Sequence, residues 1–266
     1  MLSSEPHVPA ASPVGVRDRS TALTCGLLLA IAAGAWIHVV TASTASHDDM
    51  AMGASLPTLA GAAAFVAAWG VMMTAMMVPS ALPMIALYGA IRRRATDPAT
   101  KGVTVAAFTL VYLAVWTMTG VPAYAGSVLV DVVAAGVVPY GVASVLVVAG
   151  VYQLSPLKQV CLRACRSPLG FLLGRWRPGR RGSLALAWAH ALYCLGCCWA
   201  LMLVLVVAGA MGLPWVLLVA ALVTAEKLSP GGEWIARVAG GVLVLLGLAL
   251  AMRPDLVTML RAGHTM

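Results

Sequence analysis

Charged residues are scarce in this sequence. Only 10% of its 266 residues are Asp, Glu, Lys or Arg, whereas about 25% is usual in a soluble globular domain. Hydrophobic residues make up 61% of the chain. This composition excludes a soluble globular protein. It indicates an integral membrane protein made of transmembrane helices, with no aqueous segment large enough to fold as a separate domain.

Several motifs that would define an activity are also missing. The chain has no P-loop or other nucleotide-binding motif, so an ATP-driven role would need a partner protein. It has no C-x-x-C-H sequence, which argues against attached haem. Asp and Glu together number nine, and none lies in the middle of a predicted span. A site for hard cations, which need carboxylate oxygens, is therefore disfavoured.

The basic residues lie mostly in alternate loops. Of the 17 Lys and Arg residues, 15 fall in segments that the positive-inside rule assigns to the cytoplasm, and seven of these lie between Lys158 and Arg181. This distribution predicts about seven spans in a bacterial inner membrane, with a cytoplasmic N-terminus. The net charge of +8 is then a signal of topology and does not indicate binding to nucleic acid.

The same pattern divides the chain into three parts. Residues 1–20 are polar and contain proline, which predicts a disordered cytoplasmic tail. Residues 21–253 are expected to form one all-α, polytopic bundle, and residues 254–266 a short C-terminal tail. The second span is predicted over residues 59–91 and the sixth over residues 214–226. The seventh, over residues 238–252, is short enough that a re-entrant segment is an alternative.

The most distinctive stretch lies in the fifth predicted span, where Trp188 to Met202 reads W-A-H-A-L-Y-C-L-G-C-C-W-A-L-M. At 100° per residue, four potential metal ligands fall within roughly 100° on one helix face. They are His190, Cys194, Cys197 and Cys198. An imidazole and three thiols on one stripe would supply most of a metal coordination sphere. Packing of cysteine as a small apolar residue and thiol redox chemistry are the alternatives.

The second predicted span carries paired methionines in W-G-V-M-M-T-A-M-M-V-P-S-A-L-P-M. Its candidate thioether ligands share one face and are Met73, Met76 and Met77. Pro79 and Pro83 are expected to bend the helix just beyond them. Core packing is the alternative role. Counted from the cytoplasmic ends of the two helices, Met77 lies ~22 Å and Cys197 ~24 Å along the axis, so both faces are expected at one depth and facing each other.

Two further cysteines, Cys161 and Cys165, lie in the basic segment between Lys158 and Arg181. They form an i, i+4 pair if this segment is helical, a spacing that allows chelation but is a weak motif by itself. Because the segment is expected at the cytoplasmic surface, the pair would form a transfer or exit station below the central site. The adjacent Glu226 and Lys227 are expected to be solvated at the membrane boundary.

Three blocks of the sequence resemble a bacterial family of predicted metal-binding integral membrane proteins, a domain of unknown function. The blocks read M-M-T-A-M-M-V-P-S-A-L-P-M, Y-Q-L-S-P-L-K-Q-V-C-L-R-A-C-R-S-P-L and Y-C-L-G-C-C-W-A-L-M, with A-E-K-L-S-P-G-G-E downstream. The resemblance implies a membrane location and a metal, and Ala191 stands where members often have glycine. It points to Met72, Met73, Met76, Met77, Cys161, Cys165, Cys194, Cys197 and Cys198.

Thiolate, thioether and imidazole donors together favour Cu(I), with zinc as the alternative if only Cys and His bind. The sequence therefore predicts an integral membrane protein that binds a soft metal and transports Cu(I) or delivers it to a cuproenzyme. No catalytic residue is predicted, and an enzyme is the less favoured class. The expected partners are the lipid bilayer, the metal ion, and a copper chaperone or cuproenzyme.

Two other functions stay open at this point. One is a membrane thiol oxidoreductase, although its thiols would have to be reachable from the oxidising side and the predicted outer loops contain no cysteine. The other is a structural or assembly subunit whose cysteines and methionines only pack and bind no metal.

Overall fold

The computed structural model describes residues 19–49, 58–96, 102–132, 137–209 and 212–253. All regular structure in these ranges is helical, which confirms the predicted all-α class. The predicted tails lie outside the described residues, apart from positions 19 and 20. In chain order the helices are α1 (Arg19–Asp49), α2 (Leu59–Arg94), α3 (Val105–Met118), α4 (Gly120–Val132), α5 (Val138–Leu154), α6 (Pro156–Arg166), α7 (Pro168–Arg175), α8 (Gly179–Gly209), α9 (Leu213–Leu228) and α10 (Gly232–Met252).

Five helical segments of the described residues are long and apolar enough to cross a membrane. They are α1, α2, the continuous pair of α3 and α4, α8, and α10. A sixth span results if α5 and α6, which are bent by 63° at a short break, count as one. The predicted sixth span is α9, whose 16 residues are fewer than the about 20 that a full crossing needs. The fold is thus compatible with a membrane protein and roughly consistent with the predicted number of spans.

The chain turns sharply between α5 and α6, and this turn brings the basic segment into the bundle. Ser155 caps α6, its Oγ accepting a hydrogen bond from the backbone N–H of Lys158 at 3.2 Å, and Pro156 takes the first helical position. The buried side chains of α6 are Lys158, Gln159 and Leu162. The sequence did not predict this packing of α6 into the protein, and the cytoplasmic side of the basic segment stays a prediction.

Buried charges hold α6 against the end of α9. Lys158 Nζ lies 2.6 Å from Glu226 Oε2, and Gln153 Nε2 donates to Glu226 Oε1 at 2.7 Å. Arg166 donates to the backbone carbonyls of Glu226, Ser229 and Pro230 at 2.5 to 2.8 Å. These bonds satisfy carbonyl groups that the end of a helix otherwise leaves without a partner.

The prediction that Glu226 and Lys227 are solvated is wrong. Their exposed fractions are 1% and 6%. Adjacent residues on a helix point about 100° apart, so the two charges reach different partners. Glu226 faces Lys158 on α6, whereas Lys227 faces α2 and α8. Burial is tolerated because each charged group finds a polar partner inside the bundle.

Helices α5 and α10 approach closely at glycines. A Cβ atom on Gly240 would lie 2.9 Å from the carbonyl oxygen of Gly150, and one on Gly247 would lie 2.8 Å from that of Ala143. Backbone oxygens cannot move aside as the end of a flexible side chain does. Small residues at such crossings allow close van der Waals contact, which stabilises helix pairs in membranes.

We therefore expect Gly240→Ala to destabilise the protein by ~1–3 kcal/mol, the usual cost of overpacking a tight contact. The measurement is thermal unfolding of the detergent-solubilised protein. Gly241→Ala is the matched control, because the same methyl group there would meet nothing within 4 Å. Both changes alter helix propensity equally, so equal melting temperatures of the two variants would contradict the close packing.

Candidate metal centre

Three sulfur atoms converge between α6 and α8. The Sγ atoms of Cys165, Cys194 and Cys197 all lie within 4.8 Å of one another; we call this group the sulfur triad. Cys197 Sγ is 3.8 Å from Cys165 Sγ and 3.2 Å from Cys198 Sγ. Within the residues that the structure describes, the triad is the only group of three or more His, Cys, Asp or Glu side chains placed to hold a metal ion.

The spacing of the triad suits one metal ion. At a metal–sulfur distance of about 2.3 Å, two sulfurs on opposite sides of an ion lie about 4.6 Å apart, and three in a plane about 4.0 Å apart. The three thiols are free, not joined in disulfides, so each can bind a metal as a thiolate. The donors are soft, which fits a soft ion better than a hard one, and Cys194 and Cys197 are buried while Cys165 is half-buried.

Gly196 allows α6 to lie this close to α8. A Cβ atom at Gly196 would be 2.7 Å from Cys161 Sγ, and the hydroxyl of Tyr152 donates to the Gly196 carbonyl at 2.6 Å. Cys161 is half-buried at this contact. The predicted station of Cys161 and Cys165 below the central site is thus wrong for Cys165, which belongs to the triad itself. Cys161 lies one helical turn away on α6.

Lys227 on α9 completes the surroundings of the triad. Its Nζ lies 3.0 Å from Cys194 Sγ, 3.2 Å from Ser80 Oγ and 3.9 Å from Met77 Sδ. Sequence reasoning missed this residue because it read the end of the sixth span as solvated. A signal was present, since an ionisable residue directly after an apolar run is a candidate functional group when its helix is buried.

The methionine face of α2 meets the same centre. Met77 and Cys194 both contact the Lys227 ammonium group. Tyr112 on α3 also contacts both residues. The Tyr112 hydroxyl lies 3.0 Å from Cys194 Sγ and donates to the Met77 carbonyl at 3.5 Å. Both predicted faces therefore reach this centre, linked through Lys227 on α9 and Tyr112 on α3, and ligation of one metal ion by both stays a prediction.

The other two predicted thioether residues are placed differently. Met73 is fully buried in the same core. Met76 lines a cavity of 520 Å³ between α1, α2 and α9, together with Trp36 and Thr224. Of the three methionines, Met77 is thus the one whose sulfur lies 3.9 Å from the Lys227 ammonium group.

His190 lies near the triad without being a member of it. Its ring stacks on Tyr112 with centroids 5.3 Å apart and meets the Phe171 ring at 5.9 Å. The ring is 4% exposed, and its Nε2 has no hydrogen-bond partner among the described residues. A buried nitrogen without a partner is costly, so this atom is an available ligand one helical turn from Cys194.

Residues 66–250 match the protein family PpoB2, which is described as copper chaperone. The chain belongs to this family. The matched range runs from α2 to α10 and contains the sulfur triad, Met77, His190 and Lys227. The prediction of a metal-binding family of membrane proteins is confirmed. No curated protein and no solved structure gives a significant match.

For a member of the PpoB2 copper chaperone family, the triad is a chemically suitable centre. Cysteine thiolates are preferred ligands of Cu(I), and the nearby thioether of Met77 is of the same soft class. Family and geometry together indicate that this protein handles copper and that a group of cysteines on α6 and α8 is its candidate metal site.

Proposed function

We propose that this protein is an integral membrane carrier of Cu(I) that binds the ion at the sulfur triad and delivers it to a cuproenzyme. The observation that carries the proposal is the convergence of Cys165, Cys194 and Cys197 within 4.8 Å. Zinc favours a closed set of four ligands, whereas Cu(I) is selected by soft thiolate and thioether donors. Cys198 stands beside the triad as a further ligand, and so does His190, whose Nε2 has no hydrogen-bond partner in the described part of the chain. Met77 is the thioether ligand.

Delivery needs a route out of the buried triad. Cys165 and Cys161 lie one turn apart on α6, and both are half-buried, whereas Cys194 and Cys197 are buried. A thiolate can take over the ion from a neighbouring thiolate without releasing it into water. Cys161 is therefore the proposed hand-over ligand between the triad and an acceptor protein, which would be a copper chaperone or the cuproenzyme itself.

The orientation in the membrane follows from the basic residues. We place the N-terminus and the loop after α7, which contains Arg177, Arg180 and Arg181, on the cytoplasmic side of the inner membrane. Residues 21–253 then form the membrane bundle between two short tails. Reporter fusions at Gly179 and at Ser46 are expected on opposite sides, and a common side would overturn this orientation.

Thiol–disulfide exchange is the second candidate function, favoured by the 3.8 Å distance between Cys165 Sγ and Cys197 Sγ. Exchange requires that a partner thiolate reaches one of the sulfurs. Cys197 is 1% exposed and Cys165 is half-buried, so a partner thiolate would have to attack at Cys165. An oxidoreductase would bind no stoichiometric copper and would show a redox-active disulfide, so metal analysis separates the two functions.

The proposal is tested on the purified, detergent-solubilised chain, loaded with Cu(I) under anaerobic conditions. We expect one tightly bound Cu(I) per chain, measured by metal analysis and by competition with a chromogenic Cu(I) chelator. Zinc added under the same conditions is expected to bind more weakly. A wild-type protein that retains no stoichiometric copper would refute the proposed function.

Cys161→Ser should leave the triad loaded but slow the transfer of copper. We expect the rate of Cu(I) transfer to a dithiol acceptor to fall by ~10-fold or more, comparable to removal of a group just outside a metal site. Stopped-flow chelator absorbance gives this rate. Cys25→Ser on α1 is the control, since Cys25 is remote from the triad in sequence and belongs to no metal group in the described residues. Unchanged transfer in Cys161→Ser would exclude it as the hand-over ligand.

A further inference from the structure

The cavity of 520 Å³ between α1, α2 and α9 opens beside Leu217 and Leu228, which are 48% and 52% exposed. Most of its walls are alanine and leucine side chains. Among the described residues that line it, Met76 carries the only sulfur atom and Trp36 the only aromatic ring. A thioether binds Cu(I), and an aromatic face attracts cations. The cavity therefore offers a soft cation two attractive groups, neither of which has to lose a proton.

One end of this cavity meets a polar surface. It reaches Ser229, directly after the last residue of α9. The backbone carbonyl of Ser229 accepts a hydrogen bond from Arg166 at 2.5 Å. Shortly after this turn, Glu233 forms an exposed ion pair with Arg163. The cavity thus begins at a charged surface, which a hydrated cation can reach.

Met76 stands between the cavity and the metal centre. Successive residues of a helix point about 100° apart, so Met76 falls between the cavity-lining Pro79 and the inward-facing Met77. The sulfur atoms of Met77 and Cys194 lie 3.9 and 3.0 Å from the same Lys227 nitrogen. Three sulfur-bearing side chains therefore follow one another from the cavity to the triad.

Such an intermediate ligand is needed because two of the three triad cysteines are buried. A metal ion that moves from water to an apolar wall loses its hydration, which is costly unless protein groups replace it. The Met76 thioether replaces part of that hydration. Because a thioether is neutral and a metal-bound thiolate is negative, the cation is attracted more strongly to the triad than to Met76. The order of the ligands therefore favours movement inward.

We propose that this cavity is the entry port of the copper site and that Met76 is the first residue to bind the incoming Cu(I). This inference rests on the proposed function, and it adds a transient ligand that the loaded site does not use. Entry takes place along α2, whereas release takes place along α6 through Cys161. Separate residues thus receive the ion and hand it over.

The test compares the rate of loading with the equilibrium affinity in Met76→Leu, which keeps the side-chain volume and removes the sulfur. The purified, detergent-solubilised chain without metal is loaded anaerobically from a Cu(I)–acetonitrile complex. Stopped-flow ultraviolet absorbance of the copper–thiolate bonds gives the rate, and chelator competition gives the Kd. We expect loading to slow by at least ~10-fold, comparable to the loss of a group just outside a metal site. The Kd should not change, because a ligand used only during entry is absent from the loaded site.

Met84→Leu is the matched control. Met84 lies on the same helix and has the same exposed fraction as Met76, 2%, but it is not among the described residues that line the cavity. The loading rate and the Kd of this variant should both equal those of the wild type.

Ala221→Leu narrows the port without removing a sulfur. Ala221 is an exposed residue of the cavity wall, so the larger side chain occupies part of the space. This variant should also load slowly with an unchanged Kd, and it decides the question if Met76→Leu does not fold. Ala249→Leu adds the same group to the exposed surface of α10 and should load like the wild type.

Loading of Met76→Leu at the wild-type rate would overturn the inference while the proposed function stands. A Kd that weakens in step with the loading rate would overturn it as well, because Met76 would then belong to the loaded site. If the wild type binds no Cu(I), the proposed function itself fails.

Discussion

Replacing Cys194 by serine is expected to abolish tight Cu(I) binding. Cys194 belongs to the sulfur triad and also contacts Lys227 and Tyr112, so the change removes a ligand and the partner of the ammonium group. A serine hydroxyl is a hard, neutral donor and does not replace a thiolate at a soft metal. We expect the affinity to fall by more than the ~10–100-fold that loss of an outer-shell group costs. Chelator competition measures the effect.

Two other serine substitutions calibrate this result. Cys198 contacts Cys197 at 3.2 Å but lies outside the triad, so Cys198→Ser should have a smaller effect than Cys194→Ser. Cys25→Ser should leave the affinity unchanged. If Cys194→Ser binds Cu(I) as tightly as the wild type in the same assay, the triad is not the copper site.

Replacing Glu226 by glutamine should strongly destabilise the fold. The two side chains have nearly the same shape, but the amide carries no charge, so Lys158 keeps a buried ammonium group without its ion-pair partner. Breaking one side of a buried ion pair typically costs ~3–5 kcal/mol. We expect a large drop in the thermal unfolding temperature of the detergent-solubilised protein, because this pair joins α6 to α9.

An exposed ion pair provides the comparison. Arg163 Nε lies 3.1 Å from Glu233 Oε1, with side chains 62% and 38% exposed. Glu233→Gln should therefore cost no more than ~1 kcal/mol. Replacing Lys158 and Glu226 together by Met and Leu should recover much of the stability lost in Glu226→Gln. If Glu226→Gln and Glu233→Gln are equally mild, the buried pair does not hold the two helices together.

The features that the sequence predicted correctly depend on local geometry. Helical class and membrane compatibility follow from long apolar segments with few charges. The regular angle between successive residues of a helix placed Cys194, Cys197 and Cys198 on one face of α8, and all three are buried there. The same rule placed Met73 and Met77 on the inner face of α2. These relations hold within one helix, whatever its neighbours are.

The features that the sequence missed depend on how helices meet. The sequence placed Cys161 and Cys165 below the central site, yet the 63° bend between α5 and α6 brings α6 alongside α8. Cys165 thereby lies beside Cys197, and Cys161 packs against Gly196. The bend has a local signal in Ser155 and Pro156, but its direction is set by packing.

The residues that surround the sulfur triad also depend on the tertiary structure. Periodicity put His190 on the cysteine face, but stacking on Tyr112 places its ring beside the triad and not within it. Glu226 and Lys227 look like an ordinary polar helix end until α6 supplies Lys158 and α8 supplies Cys194. By itself the sequence determined which soft ligands share a helix face. Only the tertiary structure decided which cysteine from another helix joins them and which cation faces them, because both depend on contacts between residues far apart in the chain.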